Sequence, residues 1–298
     1  MDVTLPVNLG GLERKPDNRD IQLGAVQAPV SIPSTFIPDM TWFVRNYQGQ
    51  TAFCGEHAGT HFKAIIEHQD SPTTNQRFSP RYGVIKLKTP ASPVYDGFGV
   101  DAGTTLTAIF KWLQKCGAAS YEPLEDNVFL SEAAYVDPSV VTQDIDTDAA
   151  SHQIASYAFD ALTYESLCQA IYQSKAVIIL IKCDDGFWGT QTPTFTTPTY
   201  GHFVTAYAYD ENGIWVIDSA DPNIGYVFKH IATEYITPTF FKESGTAVDV
   251  PPAVKQALTT AAPIPPSVNQ AISAGQLNLA EQILQDIEAA LALIKKEL

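Results

Sequence analysis

Two residues near position 50 have the types and spacing of a nucleophile and its helper. Gln48 lies six residues before Cys54, and the stretch from Cys54 to His68 has the pattern of a helix. A thiol at a helix N-terminus ionises more easily, because free backbone N–H groups and the helix dipole stabilise the thiolate. An upstream amide can donate a hydrogen bond to an oxyanion formed beside the sulfur. We predict that Cys54 is a low-pKa, accessible nucleophile; for Cys54 alone, a buried structural cysteine is the alternative.

A candidate base and its partner lie in the second half of the chain. His202 precedes the apolar run 203–207, and Asp218 follows sixteen residues after it, at the end of a second apolar run. The Asn-Gly pair at 212–213 predicts a hairpin between the two runs, which brings Asp218 close to His202. A neutral imidazole can deprotonate a thiol, and an acceptor on its other nitrogen sets its tautomer. A histidine and an aspartate that serve only the strand and the turn are the alternative.

A metal site is the rival interpretation of the first segment. Cys54, His57 and His61 are spaced three and four residues apart, on one face of the predicted helix. Three such side chains are able to ligate zinc, but the HExxH order of zinc peptidases is absent. Histidines on a solvated helix face are the simpler explanation, so we predict no metal here, and no organic cofactor is implied.

The elements that must position these residues change in type along the chain. Besides the helix at Cys54, helices are predicted over 104–116 and 164–174, and strands over 176–182, 202–209 and 214–218. Helices dominate the first half and strands the second, which is typical of an α+β protein with two lobes. We divide the chain into an extended arm (1–46), a main domain (47–244) and a C-terminal segment (245–298).

The C-terminal segment combines a Pro/Ala-rich linker with an amphipathic helix. Apolar residues recur there at alternating spacings of three and four between Leu277 and Leu298, a seam of about three heptads. The helix either packs on its own domain or joins another chain. Residues 276–298 are therefore a candidate surface for a homo-oligomer or a docking partner.

Composition excludes several classes of function. Thirty-three acidic and eighteen basic residues give a net charge of −15, which repels phosphate backbones and argues against nucleic-acid binding. The longest aliphatic run, 176–181, is far too short to span a membrane, and no signal peptide is visible. Four scattered cysteines without a CxxC pair are expected to be free thiols. We expect a cytoplasmic protein or a component of an assembly.

The ordered set Gln48, Cys54, His202 and Asp218 resembles the papain family of cysteine peptidases. The segment KPDNRD at 15–20 is similar to an arm motif of its bacterial-type members, and DAGTTL at 101–106 is similar to their substrate-binding stretch. The resemblance covers roughly residues 10–235. It implies a helical lobe led by Cys54 and an antiparallel, β-barrel-like lobe that holds His202 and Asp218.

The same resemblance implies a set of site roles and a substrate class. Gln48 and the Cys54 N–H would form the oxyanion hole, and Gly103 and Gly201 would contact a peptide or protein substrate. The arm is shorter than a usual inhibitory prodomain, so control of that kind is not expected.

The chain also departs from the family pattern. Gly55 and Ala220 stand where the family has tryptophans, Thr51 stands where it has a disulfide cysteine, and Asp218 stands where it has an asparagine. The lost tryptophan and the heptad tail favour one alternative, a weak or inactive relative that serves as a binding or structural module, whereas the intact Gln–Cys–His order disfavours it. A different Cys–His hydrolase, such as a cell-wall endopeptidase or amidase, is the other; such enzymes lack the upstream glutamine and the arm motif.

Overall fold

The computed structural model describes residues 11–12, 31–72, 76–125, 130–161 and 163–243. Within these ranges the helices are α1 (Cys54–Asp70), α2 (Pro80–Lys88), α3 (Leu106–Lys115), α4 (Glu132–Tyr135), α5 (Gln143–Ser151) and α6 (Tyr164–Ser174). The strands are β1 (Gly11–Leu12), β2 (Thr104–Thr105), β3 (Tyr157–Ala161), β4 (Val177–Cys183), β5 (Tyr200–Asp210), β6 (Gly213–Ile217), β7 (Phe228–Ile231) and β8 (Ile236–Glu243). The C-terminal linker, the heptad helix and most of the predicted arm lie outside the described residues.

Six strands form one antiparallel sheet in the order β3-β8-β4-β5-β6-β7. The register between β4 and β8 shifts, since Ile179 pairs with Phe240 whereas Ile181 pairs with Ile236. Pro238, which has no N–H to give to a ladder, lies in this irregular stretch. Strands β3 and β7 are the edges, so this sheet is open and does not close into the barrel-like form that the resemblance implied.

The sheet separates two apolar clusters. Ile178 and Leu180 of β4 belong to the cluster formed with α1 and α3, whereas Ile179 and Ile181 belong to the cluster formed with α6. This alternation follows from the two-residue period of a strand. Strand β4 is therefore apolar on both faces, and the α+β, two-lobed architecture is confirmed.

Within the described residues, the predicted helices and hairpin form, with small changes at their ends. Helix α6 occupies the predicted 164–174, and the Thr163 side chain accepts a hydrogen bond from Ser166 N–H in a capping box. Helix α3 starts two residues late, because Thr105 caps it by accepting from Ala108 N–H. Strands β5 and β6 flank the Asn-Gly turn as expected, with Asp210 paired to Gly213. None of the helices that the structure describes is both long enough and apolar enough to cross a lipid bilayer.

Candidate active site

Cys54 is the first residue of α1, as the sequence predicts, and its side chain meets β5. The Phe203 N–H donates a hydrogen bond to the Cys54 sulfur over 3.4 Å. Phe203 directly follows His202, so the helix N-terminus lies against the segment that carries the candidate base. The contact spans 149 residues of sequence and joins the two lobes at this point.

His202 and Asp218 form the predicted pair. His202 Nε2 lies 2.9 Å from Asp218 Oδ1, and both side chains are fully buried. The hairpin causes this contact: Thr205 pairs with Ile217, so Asp218 follows its strand close to the residues that precede Thr205. A carboxylate only accepts hydrogen bonds, so Nε2 donates the proton and the neutral imidazole keeps its lone pair on Nδ1.

Asp218 is held by more than the histidine. Its Oδ1 also accepts from Ala220 N–H and its Oδ2 from Asp221 N–H, both over 2.9 Å. Burial opposes ionisation, but the hydrogen bond and charge of His202, together with Lys229 and the Ala220 N–H, bring the pKa of Asp218 below its ordinary value. Asp218 is therefore an anion with a fixed orientation.

Gln48 is fully buried beside the turn that follows Asp218. Its Oε1 accepts from Ser219 Oγ–H over 2.7 Å, and its backbone N–H donates to the Ser219 carbonyl over 2.9 Å. Its Nε2 donates to the Thr51 carbonyl over 2.8 Å, which uses one of the two N–H bonds of the amide. The side chain is thus locked with its NH₂ group toward the loop that leads to Cys54.

Gly55 shows why the expected tryptophan is missing after Cys54. A Cβ atom at Gly55 would lie 2.4 Å from Thr104 Cγ2 and 2.9 Å from Ile109 Cδ1. Helix α1 therefore packs against the start of α3 too closely for any larger residue.

Gly103 and Gly201, the predicted substrate contacts, lie beside β1. Gly11 and Leu12 pair in parallel with Thr104 and Thr105, directly after Gly103. A Cβ at Gly201 would lie 2.2 Å from the Gly11 carbonyl oxygen, so the two backbones touch. A short piece of the arm thus lies between the two predicted substrate-binding glycines.

The expectation of an accessible, low-pKa Cys54 is wrong for this closed arrangement. The Cys54 side chain is completely buried, and burial raises the pKa of its thiol well above the ordinary value. The Phe203 N–H acts in the opposite direction, while the nearby acid Glu56 raises the pKa further. His202 Nδ1 has no hydrogen-bond partner among the described residues. All four cysteines are free thiols, as predicted.

Glu56 is a residue that the sequence interpretation missed. It lies two positions after Cys54, is fully buried, and has no hydrogen-bond partner for either carboxyl oxygen among the described residues. Burial raises its pKa to about 7, although the charge of Lys88 acts in the opposite direction. The available signal was an acid two residues after the candidate nucleophile, in the first turn of α1.

The metal-site alternative is wrong. In the described part of the chain, no three His, Cys, Asp or Glu side chains are grouped so that they could hold a metal ion. His61 Nε2 instead accepts a hydrogen bond from Asn46 N–H over 3.1 Å. Burial and the neighbouring His57 hold the pKa of His61 well below its ordinary value, so it is a neutral core residue.

Comparison with known proteins supports the fold. No family model and no curated protein matches the sequence. Among solved structures, xylellain, a cysteine protease from Xylella fastidiosa, is 15% identical, with a TM-score of 0.65 over 80% of this chain and 96% of that one. Procathepsin B S9 from Trypanosoma congolense is 10% identical, with a TM-score of 0.56 over 78% and 85%. Procathepsin L2 from the larval midgut of Tenebrio molitor is 12% identical, with a TM-score of 0.56 over 80% and 76%. The chain therefore has the fold of the papain-like cysteine proteases.

Proposed function

We propose that the chain is a cysteine peptidase that hydrolyses peptide bonds through Cys54, His202 and Asp218. The observation that carries this proposal is the contact between the lobes: the Cys54 sulfur accepts from the backbone of the residue next to His202, whose Nε2 is bound to Asp218. Thiol-dependent acyl transfer uses three parts: a thiol, an imidazole with its lone pair facing the thiol, and a hydrogen-bond acceptor that orients the imidazole.

The chemistry follows from these roles. His202 Nδ1 takes the proton of the Cys54 thiol, and the thiolate attacks the peptide carbonyl carbon to form a tetrahedral oxyanion. The free N–H of the Gln48 amide and the Cys54 backbone N–H, which lies in the first turn of α1 without a helical acceptor, stabilise that oxyanion. His202 then protonates the leaving amine as the C–N bond breaks. In the second half, His202 deprotonates water, which hydrolyses the thioester and restores the thiol.

Access to the site requires β1 to leave. A peptide that reaches Gly103 and Gly201 must occupy the space in which Gly11 and Leu12 lie. A small pocket at the same place offers room for a substrate side chain; it is lined by Gly11, Leu180, Lys182, Pro198, Thr199, Tyr200 and Gly201. Strand β1 therefore blocks the substrate-binding region until it is displaced.

A binding or structural module is the second candidate, and the complete burial of Cys54 favours it. In that case β1 stays permanently beside the two glycines, and the thiol has no chemical role. Whether the chain is a peptidase or a binding module, we propose that the heptad seam within 276–298 docks on another chain.

Hydrolysis of an unstructured protein, followed by mass spectrometry, tests the proposal. The full chain and a Gly11→Val variant, which displaces β1, are incubated with reduced, unfolded casein. We expect cleavage by Gly11→Val, loss of cleavage when Cys54→Ala or His202→Ala is added, and unchanged cleavage when the remote Cys168→Ala is added. Absence of cleavage by Gly11→Val, with Cys54 alkylated no faster than in the wild type, would leave the binding module as the better explanation.

A further inference from the structure

The ring of Phe187 packs directly on the candidate base. Its centroid lies 5.2 Å from that of His202, with the two rings inclined at 74°, and Phe187 is completely buried. Phe187 comes from the loop between β4 and β5, far in sequence from Ala220, which stands where the resemblance has a shielding tryptophan. Ala220 is too small to cover the imidazole.

A buried ammonium group fixes the backbone of Phe187. Lys229 Nζ donates to the carbonyls of Phe187 over 2.8 Å and Thr190 over 2.9 Å, and to Asp221 Oδ2 over 2.8 Å. All three N–H bonds of the ammonium group are therefore used. The ammonium nitrogen also lies 4.6 Å from the Phe187 ring centroid, in a cation–π contact.

Asp221 connects this loop to the carboxylate of the pair. Its Oδ2 also accepts from Gly189 N–H over 2.9 Å, while its own N–H donates to Asp218 Oδ2. The side chains of Lys229 and Asp221 are at most 1% exposed. A buried ion pair of this kind adds little to stability compared with apolar residues of the same size, so its hydrogen bonds to the Phe187 loop point to a positional role.

We propose that Phe187, Lys229 and Asp221 form a positioning unit that excludes water from the His202–Asp218 hydrogen bond. The purpose of this unit rests on the proposed function: a hydrogen bond shielded from water keeps the proton on His202 Nε2 and leaves the lone pair on Nδ1 for Cys54. The unit does not touch substrate. It replaces the missing aromatic residue at position 220 with a ring supplied from a different loop.

Exchange of the His202 Nε2 proton with solvent tests the positioning unit in the resting protein. The full chain is labelled with ¹⁵N-histidine, and the downfield Nε2–H signal is assigned by its loss in a His202→Asn variant. Phe187→Leu keeps an apolar side chain but removes the flat ring. We expect exchange about tenfold faster in Phe187→Leu, because water can then compete for the Nε2–H that is bound to the charged Asp218.

Two further variants complete the test. Lys229→Met combined with Asp221→Asn removes both charges together, so that no buried charge is left alone, and should accelerate exchange similarly. Phe195→Leu is the matched control: Phe195 contacts Phe187 on the same cluster, with centroids 6.2 Å apart, and should leave exchange unchanged.

The proposal is overturned if Phe187→Leu or the double variant exchanges the proton at the wild-type rate. It is also overturned if Phe195→Leu accelerates exchange equally, because any change in this cluster would then have the same effect. The measurement needs no substrate. A chain without peptidase activity but with faster exchange would thus refute the proposed function alone, and an active chain with unchanged exchange would refute the positioning unit alone.

Discussion

Asp218 carries a negative charge where the resembling family has a neutral asparagine. Its pKa is lowered despite burial, chiefly by His202, so it is ionised throughout the neutral range. A fixed carboxylate favours the protonated imidazole, and the thiolate–imidazolium pair should persist to higher pH. We predict that Asp218→Asn, measured in the Gly11→Val background, keeps much of the Cys54 reactivity but moves the upper limit of its pH profile down by about one unit. Complete loss of reactivity with the fold intact would show that the charge itself is essential.

Glu56 should make stability fall as the pH rises through neutrality. Burial raises its pKa from an ordinary 4.5 to about 7, so the folded state binds the proton more tightly than the unfolded state does. The resulting stabilisation is complete below pH 4.5 and is lost above pH 7. Between these pH values the free energy of unfolding falls by about 3 kcal/mol. Glu56→Gln removes this dependence, so its melting temperature should exceed that of the wild type by more at pH 8 than at pH 5.

Glu67, on the same helix, provides a control of opposite sign. Burial opposes its ionisation, but His152 and Lys63 lower its pKa to about 2. The stabilisation that ionised Glu67 gives to the folded state is complete above its ordinary pKa of 4.5 and is lost as the pH falls toward 2. Glu67→Gln should therefore destabilise the protein at pH 8. Equal effects of Glu56→Gln at pH 5 and pH 8 would contradict the buried-acid interpretation.

At the residue scale, the sequence predicts which residues meet in the site better than it predicts how deeply they are buried. Cys54, His202 and Asp218 are found because a helix start, a hairpin turn and a spacing of sixteen residues are local features. The Cys54 side chain is buried against β5, which follows it by about 150 residues, so no local feature of the sequence announces its burial. The same holds for Phe187, whose contact with His202 is set by Lys229 and not by any nearby sequence signal.

At the scale of elements, we propose that β1 closes the site. A Cβ on Gly11 would lie 2.7 Å from the Gly201 carbonyl carbon and 2.5 Å from Leu180 Cδ1. A larger residue at position 11 therefore has no room unless β1 moves. We predict that Gly11→Val makes Cys54 the first thiol alkylated by iodoacetamide at neutral pH, whereas the wild type reacts first at the half-buried Cys116.

Gly99→Ala is the matched glycine control for this experiment. A Cβ at Gly99 has open space around it, with no atom within 4 Å. The variant should keep the wild-type order of alkylation, as judged by peptide mapping. If Cys116 is still alkylated before Cys54 in Gly11→Val, the proposal that β1 covers Cys54 is wrong.

The elements that the sequence misses are those whose signals depend on distant packing. Helix α2 has a serine cap at Ser79 and Pro80 in its first turn, but Gly83 in its middle weakens the prediction. The structure explains Gly83, because a Cβ there would lie 2.6 Å from the Trp112 ring. Strand β8 is missed for a similar reason: it carries Pro238, and it lies between β3 and β4 only through long-range pairing.

At the scale of the whole molecule, the chain divides into two compact units. Residues 1–246 form the first, which contains every candidate site residue, and residues 247–298 form the second. The first unit has its own apolar clusters on both sides of the sheet, so it should fold without the second. The sequence of the second unit shows a heptad seam that needs an apolar partner, because a helix of about 23 residues is marginal in water.

We therefore predict that removing residues 247–298 leaves the melting temperature and the Cys54 chemistry unchanged but lowers the oligomeric mass measured by light scattering. In the full chain, Leu284→Asp with Leu291→Asp should lower the mass in the same way, because both residues lie on the seam. Glu281→Gln with Glu288→Gln, which flank the seam, should not. If the truncated chain melts at a lower temperature and its oligomeric state is unchanged, the helix packs on its own domain instead. A seam that buries its apolar residues within one chain stabilises that chain and not an assembly.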